Sequence, residues 1–203
     1  MVATKVLKLG GSLFSEAGKV LRRVEATGAD VLVVPGGGPF ADLVRDTQRN
    51  SGLSEEAAHW MAVLAMEEYA YYLSGISGIE LTPLLVKKKG IRIVLPYGIL
   101  KRRDELPHSW DVTSDTIAAW MAFQTGSLLI KATDVDGIIL EGRLQDTVEA
   151  SKLRGQETCV DRALPAFLLE HKMDTLVVNG LKAPRLEDAL RDKPTTGTII
   201  SGK

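Results

Sequence analysis

The chain of 203 residues is 45% hydrophobic and 25% charged, which excludes a disordered, collagenous or coiled-coil protein and points to one full core. Its 25 basic and 26 acidic side chains leave a formal net charge of −1, so no global field draws it to nucleic acid or an anionic membrane. Cys159 is the single cysteine, which excludes an intrachain disulfide, and His59, His108 and His171 are too scattered for a metal cluster.

Val6–Leu9 is the first short apolar run, and it leads into Gly10-Gly11-Ser12. Asp30–Val34 leads to Pro35 and Gly36-Gly37-Gly38, with a helix expected from Phe40. Ser54, then Glu55 and Glu56, is a capping start for the longest helix, Ala57–Leu73. Lys87-Lys88-Lys89 and Lys101-Arg102-Arg103 are expected in solvated turns, on either side of a strand at Ile91–Leu95. Thr113 or Ser114 is expected to cap a helix through Thr116–Phe123 that Gly126 stops. Leu128–Lys131 then runs into Asp134-Val135-Asp136-Gly137, and Leu176–Val178 into Asn179-Gly180. Helices at Arg162–Lys172 and Leu186–Arg191 flank that last strand. Continuous apolar strands imply burial on both faces, and their alternation with helices implies right-handed βαβ units. The expected fold is α/β, a single-domain three-layer αβα sandwich over residues 1–203 with a mostly parallel central sheet. Lys5 and Lys8 interrupt any signal-peptide core and no run of 18 apolar residues occurs, so a cytoplasmic protein is expected.

Glycines at strand exits let the backbone approach a phosphate and turn several N–H groups toward it. Two such clusters suggest two phosphate-bearing groups, which is what phosphoryl transfer between them requires. No G-x-x-x-x-G-K-[ST] motif is present. Gly36-x-Gly38-x-x-Ala41 satisfies a loose dinucleotide pattern, but its acidic partner would be Glu55 or Glu56, which open a helix instead of ending a strand. Asp134-Val135-Asp136-Gly137 lacks the third ligand and closing glutamate of a calcium loop and is taken as a turn. His59, Trp60, Met61, Leu64 and Met66 form an apolar stripe on the long helix, expected in the core or a subunit interface. Tyr69, Tyr71 and Tyr72 are likewise expected to pack.

Lys8-Leu9-Gly10-Gly11-Ser12 and Val34-Pro35-Gly36-Gly37-Gly38 together resemble the amino acid kinase superfamily. Thr113-Ser114-Asp115, Leu129–Gly137, Val178-Asn179-Gly180 and Thr196–Ile200 extend the resemblance in order along the chain. It implies an ATP-dependent phosphotransferase in which Lys8, Asp115 and Lys131 are catalytic. Lys8 would stabilise the transferring phosphoryl group, Asp115 would organise Lys8, and Lys131 would contact the nucleotide phosphates. Gly10, Gly11, Ser12, Asp134, Asp136 and Gly137 would serve ATP, and Gly36, Gly37 and Gly38 the acceptor. Mg²⁺ is expected on the ATP phosphates and water, without an assigned protein ligand. A homodimer or higher homo-oligomer also follows from the resemblance, with no nucleic-acid or membrane partner.

Where acetylglutamate-type members carry a lysine at the start of a late helix, Gly155–Asp161 has none, which favours phosphate as the acceptor. His108–Asp115 and Thr158–Asp161 resemble, more narrowly, the subgroup of methanofuran biosynthesis, whose acceptor is [5-(aminomethyl)furan-3-yl]methyl phosphate. Asp111 is then expected to pair with the acceptor amine, and Trp110 or His108 to border its ring. The alternatives are a nucleoside monophosphate or isopentenyl phosphate kinase, or a nucleotide- or oxyanion-binding protein without turnover.

Overall fold

Apolar β-branched runs form the strands of the computed structural model, which describes residues 4–203. In chain order they are β1 (Lys5–Leu9), β2 (Val31–Pro35), β3 (Leu81–Thr82), β4 (Ile91–Val94) and β5 (Leu128–Thr133). A short hairpin, β6 (Ile139–Leu140) and β7 (Arg143–Leu144), precedes β8 (Thr147–Glu149), β9 (Asp174–Asn179) and β10 (Thr198–Ser201). Outside the hairpin they make one eight-stranded sheet in the order β3-β4-β2-β1-β5-β9-β10-β8. Within this sheet only the β9/β10 pair is antiparallel. The loops that follow β1, β2, β5 and β9 therefore open on one edge, where ligands bind in such sheets.

Parallel neighbours need crossovers, and these supply helices to both faces. They are α1 (Ala17–Ala26), α2 (Gly38–Ser51), α3 (Glu55–Ser77), α4 (Pro96–Arg102), α5 (Ser114–Thr125), α6 (Ala150–Leu153), α7 (Leu164–His171) and α8 (Ala183–Leu190). Successive strand residues point to opposite faces. Val6, Leu129 and Val177 accordingly join a core with α5 and α7. Leu7, Leu9, Ile130 and Val178 join a second core with α1, α8 and Tyr69 of α3. Two cores around one sheet give the expected three layers.

Some elements depart from expectation. A turn of 3₁₀ helix at Gly11–Glu16 and α1 follow the first glycine loop, with Ala17, Val20, Leu21 and Val24 buried at helical spacing. No element is expected there from strand-type patterning, because polar residues separate these apolar positions. Lys101 and Arg102 end α4 instead of lying in a turn, because Pro96 starts a helix directly after β4. The Lys101 ammonium lies 3.9 Å over the Trp60 ring. Lys87, Lys88 and Lys89 are exposed outside regular structure, as expected. Ser54 does cap α3, its Oγ accepting from the Ala57 N–H at 3.2 Å. Of the three tyrosines on that helix, Tyr69 is fully buried and Tyr72 stacks on Phe14, whereas Tyr71 is 59% exposed and so is not a packing residue of this chain. Leu64, expected on a packed stripe, is also exposed, whereas His59, Trp60 and Met66 are buried. No helix among the described residues is long and apolar enough to cross a membrane.

Candidate active site

Lys8 and Lys131 are register partners on the parallel strands β1 and β5. Adjacent strands lie about 4.8 Å apart, so two lysines on one face bring two ammonium groups into mutual repulsion. They share that face with Val6 and Leu129, toward α5. There Asp115, in the first turn of α5, meets both. Lys8 Nζ lies 2.7 Å from Asp115 Oδ1, and Lys131 Nζ contacts Asp115 Oδ2. The three side chains are buried, with residue exposures of 5–6%. Burial alone would raise the Asp115 carboxyl pKa, but Lys131 and then Lys8 hold it well below the ordinary range. Burial lowers the Lys8 ammonium pKa, and Asp115 opposes part of that effect. The triad carries one net positive charge at the edge where the glycine loops emerge. Such a charge suits a site that neutralises anionic oxygens.

The Asp115 backbone is held by a residue that the sequence does not single out for this role. Asp161 Oδ2 accepts from the Thr113 N–H and the Thr116 N–H, each at 2.9 Å, and its Oδ1 accepts from the Leu164 N–H at 2.9 Å. It therefore caps both α5 and α7, and neither Thr113 nor Ser114 caps α5 through its own side chain. The Asp161 N–H in turn donates to Asp115 Oδ2 at 3.1 Å. Burial, then the Asp115 charge, push the Asp161 carboxyl pKa up, while the hydrogen bonds from Thr116 and Thr113 oppose that. Lys131 also donates to the Cys159 carbonyl, which ties the segment before α7 to β5.

The two glycine loops touch. A Cβ on Gly11 would lie 2.8 Å from Gly38 Cα and 2.9 Å from Gly38 N, closer than carbon atoms tolerate. Gly38 itself takes φ +53° at the start of α2. The Gly11→Ala variant should therefore spread the loops and lower stability by about 1–3 kcal/mol, which thermal unfolding checks. Gly10 and Gly36 are occupied differently: the Gly10 N–H donates to the Ala132 carbonyl and the Gly36 N–H to the Leu9 carbonyl. Their N–H groups brace the strand exits and do not face the cavity beside the loops.

That cavity, of about 600 Å³, opens between the loops, α2, α3 and the segment before α5. Gly11, Ser12, Gly37, Gly38, Lys8 and Trp110 line it. His108 and Asp111 do not. His108 stands one layer behind, stacked 4.2 Å from His59 and bonded to Asp104 at 2.8 Å. Asp111 is exposed, 3.9 Å from Arg162, and borders an adjoining cavity of about 510 Å³ with Asp115, Thr158 and Asp161. In their place α2 and α3 contribute Asp42, Arg45, His59 and Met66. Burial first, and then His108, lower the His59 imidazole pKa to about 4, so this imidazole is neutral near pH 7. Helical spacing from Gly38 could have flagged Asp42, four residues on, once the helix start was known.

Asp134, Asp136 and Gly137 follow β5 and lie outside both cavities. Asp134 is exposed. Asp136 is paired with Lys182 at 3.0 Å and Arg185 at 2.9 Å, and accepts from Asn179 Nδ2 at 2.8 Å. That bond, with the two cations, holds its carboxyl down to about 2. A Cβ on Gly137 would meet Thr198 and Leu144, so this glycine closes the loop on the C-terminal strand. The loop lies beside Asn179-Gly180 at the end of β9, which places it on the opposite side of β1 from β2 and the glycines that follow β2. Among the described residues, no three His, Cys, Asp or Glu side chains gather as a metal-ligand set.

Comparison with known proteins identifies the family. The model of the amino acid kinase family matches residues 3–158. The chain is 32% identical to [5-(aminomethyl)furan-3-yl]methyl phosphate kinase of Methanocaldococcus jannaschii, with 97% of each chain covered. Among solved structures, uridylate kinase from Archaeoglobus fulgidus superposes with a TM-score of 0.72 at 21% identity, covering 97% of this chain and 99% of that one. UMP kinase from Bacillus anthracis superposes with a TM-score of 0.73 at 15% identity, covering 99% and 96%. At these identities the solved structures speak to the fold. The family match, by contrast, spans both glycine loops and the buried triad, and the chain belongs to the amino acid kinase family.

Proposed function

We propose that this chain is an ATP-dependent kinase that transfers a phosphoryl group to [5-(aminomethyl)furan-3-yl]methyl phosphate, giving the diphosphate and ADP. The carrying observation is the buried Lys8–Asp115–Lys131 triad at the strand edge where two touching glycine loops meet. The choice of acceptor follows the Methanocaldococcus jannaschii relative, similar over nearly the whole chain.

In this reading, an oxygen of the acceptor phosphate attacks the γ-phosphorus of ATP. The bond from that phosphorus to the β,γ-bridging oxygen breaks, and ADP leaves with the oxygen. The acceptor oxygen is already ionised, so no general base is needed, and catalysis is positioning plus charge neutralisation. Lys8, at the edge of the acceptor cavity, stabilises the oxygens in flight. Lys131, on the β5 side, holds nucleotide phosphates, and Asp115 aims both ammonium groups. Gly11, Ser12, Gly37 and Gly38 offer backbone donors to the phosphates, and the Asp134–Gly137 loop borders the nucleotide. Mg²⁺ would arrive on the ATP phosphates and supply further charge neutralisation; both Asp115 oxygens are engaged by lysines, which suits contact through water. Exposed Leu64, Tyr71 and Ile76 on α3 support a homo-oligomer, and the setting is cytoplasmic.

ADP release with Mg-ATP against the aminomethylfuran phosphate, AMP, UMP, isopentenyl phosphate and acetylglutamate tests this. Selective turnover of the furan phosphate, with a diphosphate product by phosphorus NMR, is expected. Turnover of UMP alone would move the acceptor to a nucleotide, and silence across the panel with ATP still bound would indicate a binding protein.

A further inference from the structure

The acceptor cavity contains a contradiction for an ordinary phosphate monoester. Its walls offer Lys8, Arg45 and the backbone of two glycine loops, all suited to an anion, yet they also carry Asp42. A carboxylate there finds no partner in a dianionic acceptor, whereas the positive end of a zwitterionic acceptor can pair with it. Asp42 stands four residues beyond Gly38 on α2, about 6 Å along the helix axis from the loop that faces the phosphate. A phosphomethyl furan with an aminomethyl group across its ring spans a similar length. The structure also shows a cation already held in this position. The Arg45 guanidinium sits 3.0 Å from Asp42 Oδ1 and 4.5 Å over the Trp110 ring. Trp110 is itself anchored, its Nε1 donating to Gln48 Oε1.

We infer that Asp42 and the Trp110 face form a cation box that reads the ammonium end of a zwitterionic phosphate acceptor. Arg45 is the resident cation and yields to the substrate ammonium, which takes both the carboxylate and the π face. The inference rests on the acceptor proposed above and assigns to Asp42 the role that residue type alone suggests for Asp111.

The test compares the wild type, Asp42→Asn, Asp42→Glu and Asp111→Asn with the aminomethylfuran phosphate and its analogue bearing methyl in place of aminomethyl. The wild type should prefer the amine. Asp42→Asn should raise the KM of the amine acceptor about tenfold, the low end for a hydrogen bond to a charged group at an open mouth, with a smaller change in kcat. The same variant should leave the methyl analogue equal or better, and Asp42→Glu should restore most of the preference. An equal rise for both acceptors, no rise, or loss of the preference in Asp111→Asn instead would overturn the inference while the proposed reaction stands. Failure of the wild type to use the furan phosphate would overturn both, and is read before any variant is made.

Discussion

Replacing Lys8 by methionine should lower kcat by about 10³-fold and leave the protein folded, because the change removes a positive charge from the phosphoryl path and little packing. Lys8 is 6% exposed, so methionine fills most of the same space. Asp115 keeps Lys131 as a partner and stays ionised without Lys8. Stability should therefore change by about 1 kcal/mol, in line with the loss of one of two partners with similar volume kept. Lys8→Arg should not rescue turnover: a planar guanidinium is bulkier and presents a fork where the site holds a compact ammonium. Steady-state kinetics with a parallel melting curve separate the two effects. Near-normal kcat in Lys8→Met would place the transferring phosphoryl group elsewhere.

Removing Asp115 has the opposite balance, a large cost in stability as well as activity. In Asp115→Asn the facing ammonium groups of Lys8 and Lys131 lose the charge between them, and both are 5–6% exposed, too little for water to screen them well. Uncoupling one member of a buried ion pair typically costs about 3–5 kcal/mol. For a chain of this size that is a fall in Tm of about 10 °C. The folded variant escapes the repulsion by releasing a proton from one lysine, which burial already favours at Lys8. Its residual activity should therefore rise toward lower pH, where both lysines are protonated, whereas the wild type should show no such rise. In the wild type the Asp115 carboxyl is held below its ordinary value, so its share of stability is complete above that value. That share is lost only as the pH falls below about 3.8. Melting curves and pH–rate profiles of both proteins check this. A variant as stable as the wild type with a flat profile would mean that Asp115 does not balance the lysines.

These effects depend on a juxtaposition that the amino-acid sequence carries only in part. Lys8 and Lys131 each end an apolar run, and Asp115 opens a helix, so all three are visible as strand-end cations and a helix-start acid. That the lysines are register partners depends on β5 pairing beside β1, a crossover of more than a hundred residues. Asp161 is a similar case. Its sequence neighbours give no sign that it caps a helix starting at Ser114, since the capping bonds span 45–48 residues. The two cavity walls divide in the same way. The glycine clusters stand out because local backbone geometry demands glycine, whereas Asp42 and His59 look like ordinary surface and packing residues until α2 and α3 are set side by side.

The sequence by itself determined the layer architecture, the strand exits that carry glycine, and the family, because burial periodicity and backbone conformation are local properties of neighbouring residues. Only the tertiary structure decided which charged side chains meet. Asp42 faces the acceptor cavity and Asp111 the neighbouring one although both are exposed acids near a tryptophan. The physical reason is that an ion pair or a cation box is set by distances across the fold, which the packing of the helices on the sheet fixes and the spacing of residues along the chain does not.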